Sequence, residues 1–360
     1  MKSGTIKTFL EVHTWTGLAA GLLLFVAFYT GSMTVFMHEL ELWDSYTEGV
    51  KAEQTLGQAQ RLIDLALMED PDAASSFRLY PSSSDHPGHS VYWFKRLEDG
   101  TFETNQYRLS DSGSLSTAED TAHLASFIYR LHYTAGLPSP FGLYLLGFVC
   151  LIYGVALVSG LIVFLPNWLR DLFIVRGTGN NKRFWLDAHN VVGVISLPWH
   201  FMFAWSSAVL ALGIVFLAPF QFLVFEEDLI EIFGDELGVI SSPEASGSMQ
   251  AALSVKEIVS IAENEAPGIK LNQLRFTNYQ DANGTVSVFG HLEVGTLTPN
   301  ANVTMNVSTG QVLNVSHPAQ ATLGATFYNG LIALHYVSFG GFTAKWIYFF
   351  LGLAGAFLFF

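Results

Sequence analysis

Four long apolar runs separated by two acidic insertions constrain this chain more than any other feature. Residues 15–36 contain no charged side chain over 22 positions. A helix crossing a ~30 Å hydrocarbon core needs roughly 20 apolar residues, so this run is long enough to span. Lys2 and Lys7 precede it, as basic residues precede a signal peptide. A signal h-region covers only about 7–15 residues and closes on small side chains, whereas this run ends in Phe36-Met37-His38-Glu39. The second run covers residues 141–165 and is closed by Pro166. The third, 191–225, holds Pro198 and Pro219 inside it. The fourth begins near Leu331 and reaches Phe360, interrupted only by Lys345, without a polar flank. That ending leads us to expect further sequence beyond Phe360.

Composition points the same way. Only 13% of residues are charged, against about 25% in an average soluble domain. A net charge of −14 with 17 Lys and Arg argues against a nucleic-acid partner. Cys150 is the sole cysteine, which excludes a disulfide framework, a Cys-rich zinc site and a Cys-ligated iron–sulfur cluster. No Cys-x-x-Cys-His occurs, so a haem would be held by ligation alone.

Lys and Arg placement sets orientation. Residues 167–186 carry Arg170, Arg176, Lys182 and Arg183, so this short loop and the N-terminus are expected in the cytoplasm. The insertions then lie outside. Residues 39–130 hold 16 acidic and 7 basic side chains, and residues 221–330 hold 12 and 3, so both are net acidic.

Both insertions read as α+β units. In the second, Val255, Ile258, Val259 and Ala262 give a helical rhythm over 254–265. Residues 274–277 and 285–291 alternate like strands, with Asn283-Gly284 as the turn between them. Residues 303–307 and 312–315 form a further hairpin about Ser308-Thr309-Gly310. The first insertion repeats the order more loosely: a helix over 56–68, then strands near 76–80, 89–96 and 104–109, with a turn at Asp111-Ser112-Gly113.

The chain also repeats itself. His13-x-x-x-Gly17 opens the first membrane run and His189-x-x-x-Gly193 the third. Leu131-His132-Tyr133 precedes the second and Leu334-His335-Tyr336 opens the fourth. Both copies start on the same side, so the repeat axis runs along the membrane normal. It sets His13 opposite His189 at the cytoplasmic end and His132 opposite His335 at the external end. The expected fold is an α-helical membrane bundle of four transmembrane helices with two external α+β domains, built as an internal parallel repeat. Its segments are membrane helices at 1–38, 131–166, 187–222 and 331–360, external domains at 39–130 and 223–330, and a cytoplasmic loop at 167–186.

His-Thr-Trp-Thr-Gly at 13–17, Asp187-Ala-His-Asn, the paired Leu-His-Tyr motifs and Ser-Thr-Gly-Gln-Val-Leu at 308–313 resemble the PepSY-associated transmembrane family. Nearly the whole chain shares the resemblance, carried by the order and repetition of short motifs. It implies PepSY-like insertions and a place among iron-uptake proteins of the bacterial inner membrane, some of which are haem-containing ferrisiderophore reductases.

The histidines carry the chemistry. An ionisable side chain in a membrane helix is a functional candidate by default, and neutral imidazole ligates iron well. Bis-histidine ligation takes one residue from each of two helices facing a common cavity. We therefore expect two haem b groups, one held by His13 and His189 and one by His132 and His335. The competing readings are interfacial or helix-capping histidines, and Gly-x-x-x-Gly packing in place of a macrocycle beside Gly17 and Gly21. His200 is the rival ligand. It lies eleven residues after His189, about three turns, on the same helix face and ~16 Å deeper. Its aligned position in the first helix is Leu24. His38 reads as an interfacial anchor. His86, His89, His123, His291 and His317 read as solvated external residues.

Weaker signals read blandly. Gly177-Thr-Gly179 lacks the third glycine of a dinucleotide loop. Glu226-Glu227-Asp228 and Asp235-Glu236 read as solvated charge beside a membrane. The cytoplasmic loop is too short for a flavin or nicotinamide domain, so electrons would come from quinol or a separate cytoplasmic reductase. The leading expectation is an oxidoreductase of the inner membrane that reduces a ferric siderophore or other ferric chelate in the periplasm. The alternatives are a regulatory, peptide-binding PepSY protein without redox activity, and a transporter.

Overall fold

A computed structural model describes residues 3–44, 54–83, 88–96, 102–110, 113–117, 123–177, 181–223, 243–292, 297 and 300–359. In chain order these form α1 (Ser3–Thr34), α2 (Met37–Asp44), α3 (Leu56–Glu69), β1 (Ser76–Tyr80), β2 (Ser90–Arg96), β3 (Phe102–Leu109) and β4 (Leu115–Thr117). There follow α4 (His123–Thr134), α5 (Phe141–Phe164), α6 (Trp168–Asp171), α7 (Asn181–Ile195) and α8 (Leu197–Leu223). The last elements are α9 (Val255–Glu265), β5 (Lys270–Thr277), β6 (Thr285–His291), β7 (Asn300–Asn306), β8 (Val312–Ser316), α10 (Leu323–Tyr336) and α11 (Gly341–Phe359).

Two compact units result. The first gathers α1, α2, α4–α8, the C-terminal part of α10 and α11. α1 lies against α5 and α11, and α5 against α8. Among the described residues three of its helices are long and apolar enough to cross a membrane, and α7 with α8 makes a fourth if that bent pair is one span. Polar side chains within α1 satisfy themselves: Thr14 donates to Leu10 O at 2.8 Å, Thr30 to Val26 O at 2.6 Å and Ser32 to Phe28 O at 2.8 Å. Such back-bonding removes the need for water inside an apolar run. Lys345, the charge within the fourth run, reaches Glu39 Oε1 at 2.6 Å.

Two expectations about the helices need correcting. The third run is not one continuous helix; α7 and α8 meet at a bend of 68°. Pro198 follows the bend, and without an N–H it cannot continue the ladder below it. The Leu-His-Tyr motifs, read as the entrances of helices two and four, instead occupy the last turns of α4 and α10. Positive φ at Ala135 (53°) and Gly136 (76°), then Pro138 and Pro140, stop the first of these helices. Val337 (56°) and Gly340 (68°) stop the second.

The second unit contains α3, α9 and one antiparallel eight-stranded sheet of order β4-β3-β2-β1-β5-β6-β7-β8. Reading the two insertions as two separate domains is therefore corrected: each supplies half of one sheet, joined through β1 and β5. Left apart, β1 and β5 would each be an open edge with unpaired backbone groups. Their pairing stacks Phe77 on Phe276 at 4.6 Å across the seam. Phe77, Leu79, Val91, Trp93, Leu274, Phe276 and Val288 point to one face and form a core with Leu62 and Ile63 of α3 and Ile258 of α9. Both helices begin in capping boxes, Thr55 with Gln58 and Ser254 with Glu257, each cap contributing about 1 kcal/mol. The β5–β6 connection is longer than a two-residue turn. It runs over 278–284, with the Asp281 carboxylate accepting the N–H groups of Ser246, Gly247 and Asn283.

Candidate functional site

Burial and hydrogen bonding inside the helical unit single out histidines. His13 of α1 and His189 of α7 lie with ring centres 6.2 Å apart and planes at 73°. His132 of α4 and His335 of α10 also lie 6.2 Å apart, with planes at 34°. The structure thus brings together the two pairings expected from the sequence repeat.

Three of the four rings are held at the same atom. His13 Nδ1 bonds Ala156 O at 2.9 Å, and His132 Nδ1 bonds Ala27 O at 2.8 Å. A carbonyl only accepts, so each Nδ1 carries the proton and each neutral ring keeps its lone pair on Nε2. Ser206 Oγ lies 2.8 Å from His335 Nδ1 and 3.3 Å from Phe203 O, so that ring too is held at Nδ1. Metal-bound histidines typically donate their second ring N–H to such a partner, which fixes tautomer and orientation.

Glycine makes two of these contacts possible. A Cβ on Gly160 would lie 2.7 Å from His13 Cε1, and one on Gly31 would lie 2.7 Å from His132 Nδ1. Ala156 and Ala27, whose carbonyls accept, stand one turn before these glycines. In each case the Nδ1–Cε1 edge of the imidazole meets a bare stretch of neighbouring helix.

The pairs mark opposite ends of the bundle. His132 docks on α1 at Ala27 and Gly31, 14 to 18 residues beyond His13, or ~21–27 Å at 1.5 Å per residue. His132 and His335 line a cavity of about 390 Å³ together with Phe28, Cys150, Tyr153 and Phe203. Beside His13, Gly17 has no neighbour within 4 Å of its Cβ position, and at Gly21 only Phe359 approaches, at 4.0 Å. Among the described residues no helix packs closely on that glycine face.

His200 joins neither pair. It is 0% exposed, packs edge-on against Phe28 at 5.4 Å and Tyr153 at 6.1 Å, and neither ring nitrogen has a hydrogen-bond partner among the described residues. The Tyr153 hydroxyl is likewise buried and unpartnered. His38 lies in α2. His89 is a structural residue: Nδ1 accepts from Ser82 N at 2.8 Å and Nε2 donates to Thr55 O at 2.9 Å. Burial holds its pKa below the usual histidine value. His291 pairs with Asn272 and His317 caps the turn at Ala319. His86, Glu226-Glu227-Asp228 and Asp235-Glu236 lie outside the described residues, as does the side chain of His123.

The loop before His189 is a charge network. Asp187, 1% exposed, takes Arg183 Nε at 3.0 Å and Arg176 Nη1 at 3.3 Å, while Arg176 Nη2 reaches Asp171 at 2.6 Å. Two basic residues read as topology signals therefore also clamp the start of α7, two residues ahead of His189.

A family model described as the PepSY-associated TM region matches residues 10–360. The chain belongs to this family. No curated protein matches it. Membership in the PepSY-associated TM region family and the apolar helices make this a membrane protein. Gly31, Gly160 and Ser206 were not legible as site residues, because each acts on a histidine more than a hundred positions away.

Proposed function

We propose that the protein is a bis-histidine haem protein of the bacterial inner membrane. On this reading it passes electrons across the bilayer to reduce ferric siderophore in the periplasm, using an internal parallel repeat to build one site at each end. The single observation that supports it most is the pair of 6.2 Å histidine couples with Nδ1 anchored in three of the four rings. Two metal–nitrogen bonds of about 2.0 Å plus two half-rings fill such a centre-to-centre span, and a neutral Nε2 is the donor iron takes. The donor set therefore fits a haem at each pair. A haem held by His13 and His189, or by His132 and His335, would supply reversible one-electron chemistry.

The residues of this chain supply position. Gly160 and Gly31 admit the rings, Ala156 and Ala27 fix the tautomer of His13 and His132, Ser206 holds the His335 ring, and the Asp187–Arg183 pair anchors α7 near His189. Arg170, Arg176, Lys182 and Arg183 support a cytoplasmic position for the His13–His189 end, next to the reductant, whether quinol or a separate reductase. The His132–His335 end then faces the ferric chelate. The cavity beside it is of the size that takes a cofactor.

The test uses the purified full-length protein. Pyridine haemochrome assay should give two haem b per chain, and dithionite-reduced protein should be reoxidised rapidly by an added ferric siderophore. Replacing His132 or His335 should abolish that reoxidation while the other haem remains. Absence of haem from protein made with ample haem, or indifference to every ferric chelate tried, overturns the reading in favour of a regulatory PepSY protein.

A further inference from the structure

The seam between the two halves of the sheet sets two arginines face to face. Arg78 of β1 and Arg275 of β5 are direct cross-strand partners. They alternate with Phe77, Leu79, Leu274 and Phe276, so they point away from the core and from α3 and α9. Like charges directly opposite in an antiparallel pair repel. Several other basic residues are neutralised: Arg176 and Arg183 meet Asp187, Lys95 meets Asp70 and Lys345 meets Glu39. Neither Arg78 nor Arg275 forms an ion pair among the described residues, in a chain with 31 acidic side chains.

Both guanidinium planes are held. Arg78 lies over the Tyr92 ring at 5.3 Å and Arg275 over Phe289 at 5.1 Å. Tyr80 stacks on Tyr92 at 5.5 Å with planes 10° apart, and Gln273 Nε2 donates to the Tyr80 hydroxyl at 2.9 Å. Arg78 spends a donor on the Tyr92 hydroxyl. Arg275 donates to no acceptor among the described residues. Burial, and then the neighbouring Arg78 charge, lowers the Arg275 pKa, so an anion there would relieve a real repulsion.

We propose that Arg78 and Arg275, flanked by Tyr80, Tyr92 and Phe289, form an anion site for the carboxylate groups of a soluble metal chelate. A guanidinium fork matches a carboxylate bidentately, and two adjacent forks match a ligand presenting two or more carboxylates. The aromatic flanks hold the forks in plane and give a ligand backbone an apolar surface. That these carboxylates belong to a metal chelate rests on the reductase reading; the anion site itself does not.

Gallium(III) citrate, which is redox-silent, is the probe. Titrated calorimetrically into the full-length protein, it should bind with an affinity that falls as salt rises. Arg78→Gln and Arg275→Gln should each weaken binding about tenfold or more, with the haem spectrum and circular dichroism unchanged. Arg78→Lys and Arg275→Lys, which keep charge but lose the fork, should fall between. Arg108→Gln, an exposed charge on β3, should bind like the unaltered protein. Inorganic phosphate and phosphatidylglycerol vesicles should compete poorly. Equal affinity of the unaltered protein and both Gln variants overturns the site. So does tighter binding of phosphate or vesicles, which would make it a headgroup contact. Lost gallium citrate binding with rapid reoxidation by ferric chelate would remove this site and leave the reductase reading; intact binding with no reoxidation would do the reverse.

Discussion

Gly160 and His13 interlock. The imidazole lies where a side chain on residue 160 would be, 2.7 Å from the nearest ring carbon, and its Nδ1 reaches the Ala156 carbonyl one turn earlier. The same relationship joins Gly31 and His132. Two histidines from different parts of the chain are thus positioned by the absence of a methyl group.

Gly160→Ala should therefore push His13 off Ala156. Overpacking of this kind costs about 1–3 kcal/mol, visible as a lower melting temperature. Haem content should drop toward one per chain. Gly154→Ala is the control, since nothing lies within 4 Å of its Cβ position. A Gly160→Ala protein that melts and absorbs like the unaltered one would show that the ring has room.

His13→Ala and His189→Ala should remove one and the same haem, and His132→Ala and His335→Ala the other, because each couple sits 6.2 Å apart. The readout is the low-temperature spectrum of each single and paired variant. Four distinct spectral losses would contradict the pairing.

Ser206→Ala removes the hydroxyl that lies 2.8 Å from His335 Nδ1. Loss of such a partner typically weakens metal binding about 10–100-fold, so haem titration of the apo-protein should show a weaker external site. Ser206→Thr keeps the hydroxyl and should restore it. If Ser206→Ala takes up haem normally, the hydroxyl does not orient His335.

His200 has two buried nitrogens without a partner among the described residues. An apolar ring of similar shape removes that desolvation penalty of about 1–3 kcal/mol, so His200→Phe should raise the melting temperature and keep both haems. Loss of a haem in this variant would make His200 a ligand after all.

In the sheet unit, burial lowers the His89 pKa below 6.5. The unfolded chain then binds more protons than the native one once pH falls below about 6.5. Stability is full above that value and lost as pH drops through it, levelling off below the native pKa. Amide exchange in β2, compared between pH 7.5 and pH 5.5 and corrected for intrinsic rates, should show this loss. His89→Gln should flatten it; an unchanged slope would place the proton elsewhere.

Apolar run length, Lys and Arg placement and the recurrence of His-x-x-x-Gly and Leu-His-Tyr were enough to read membrane helices, acidic insertions and which histidines pair. These are local or repeated signals, and periodicity carries them: the strand at Ser76–Tyr80 and the capped helix starting at Val255 fall where the pattern puts them. Only the tertiary structure decided the rest. It broke the third run beside Pro198, because a missing N–H matters only once the ladder around it exists. It closed β1 onto β5, because edge pairing depends on two strands meeting nearly two hundred residues apart. It chose Gly31, Gly160 and Ser206 as the supports of the histidines, because a hydrogen bond or a bare helix surface has meaning only when another helix lies against it.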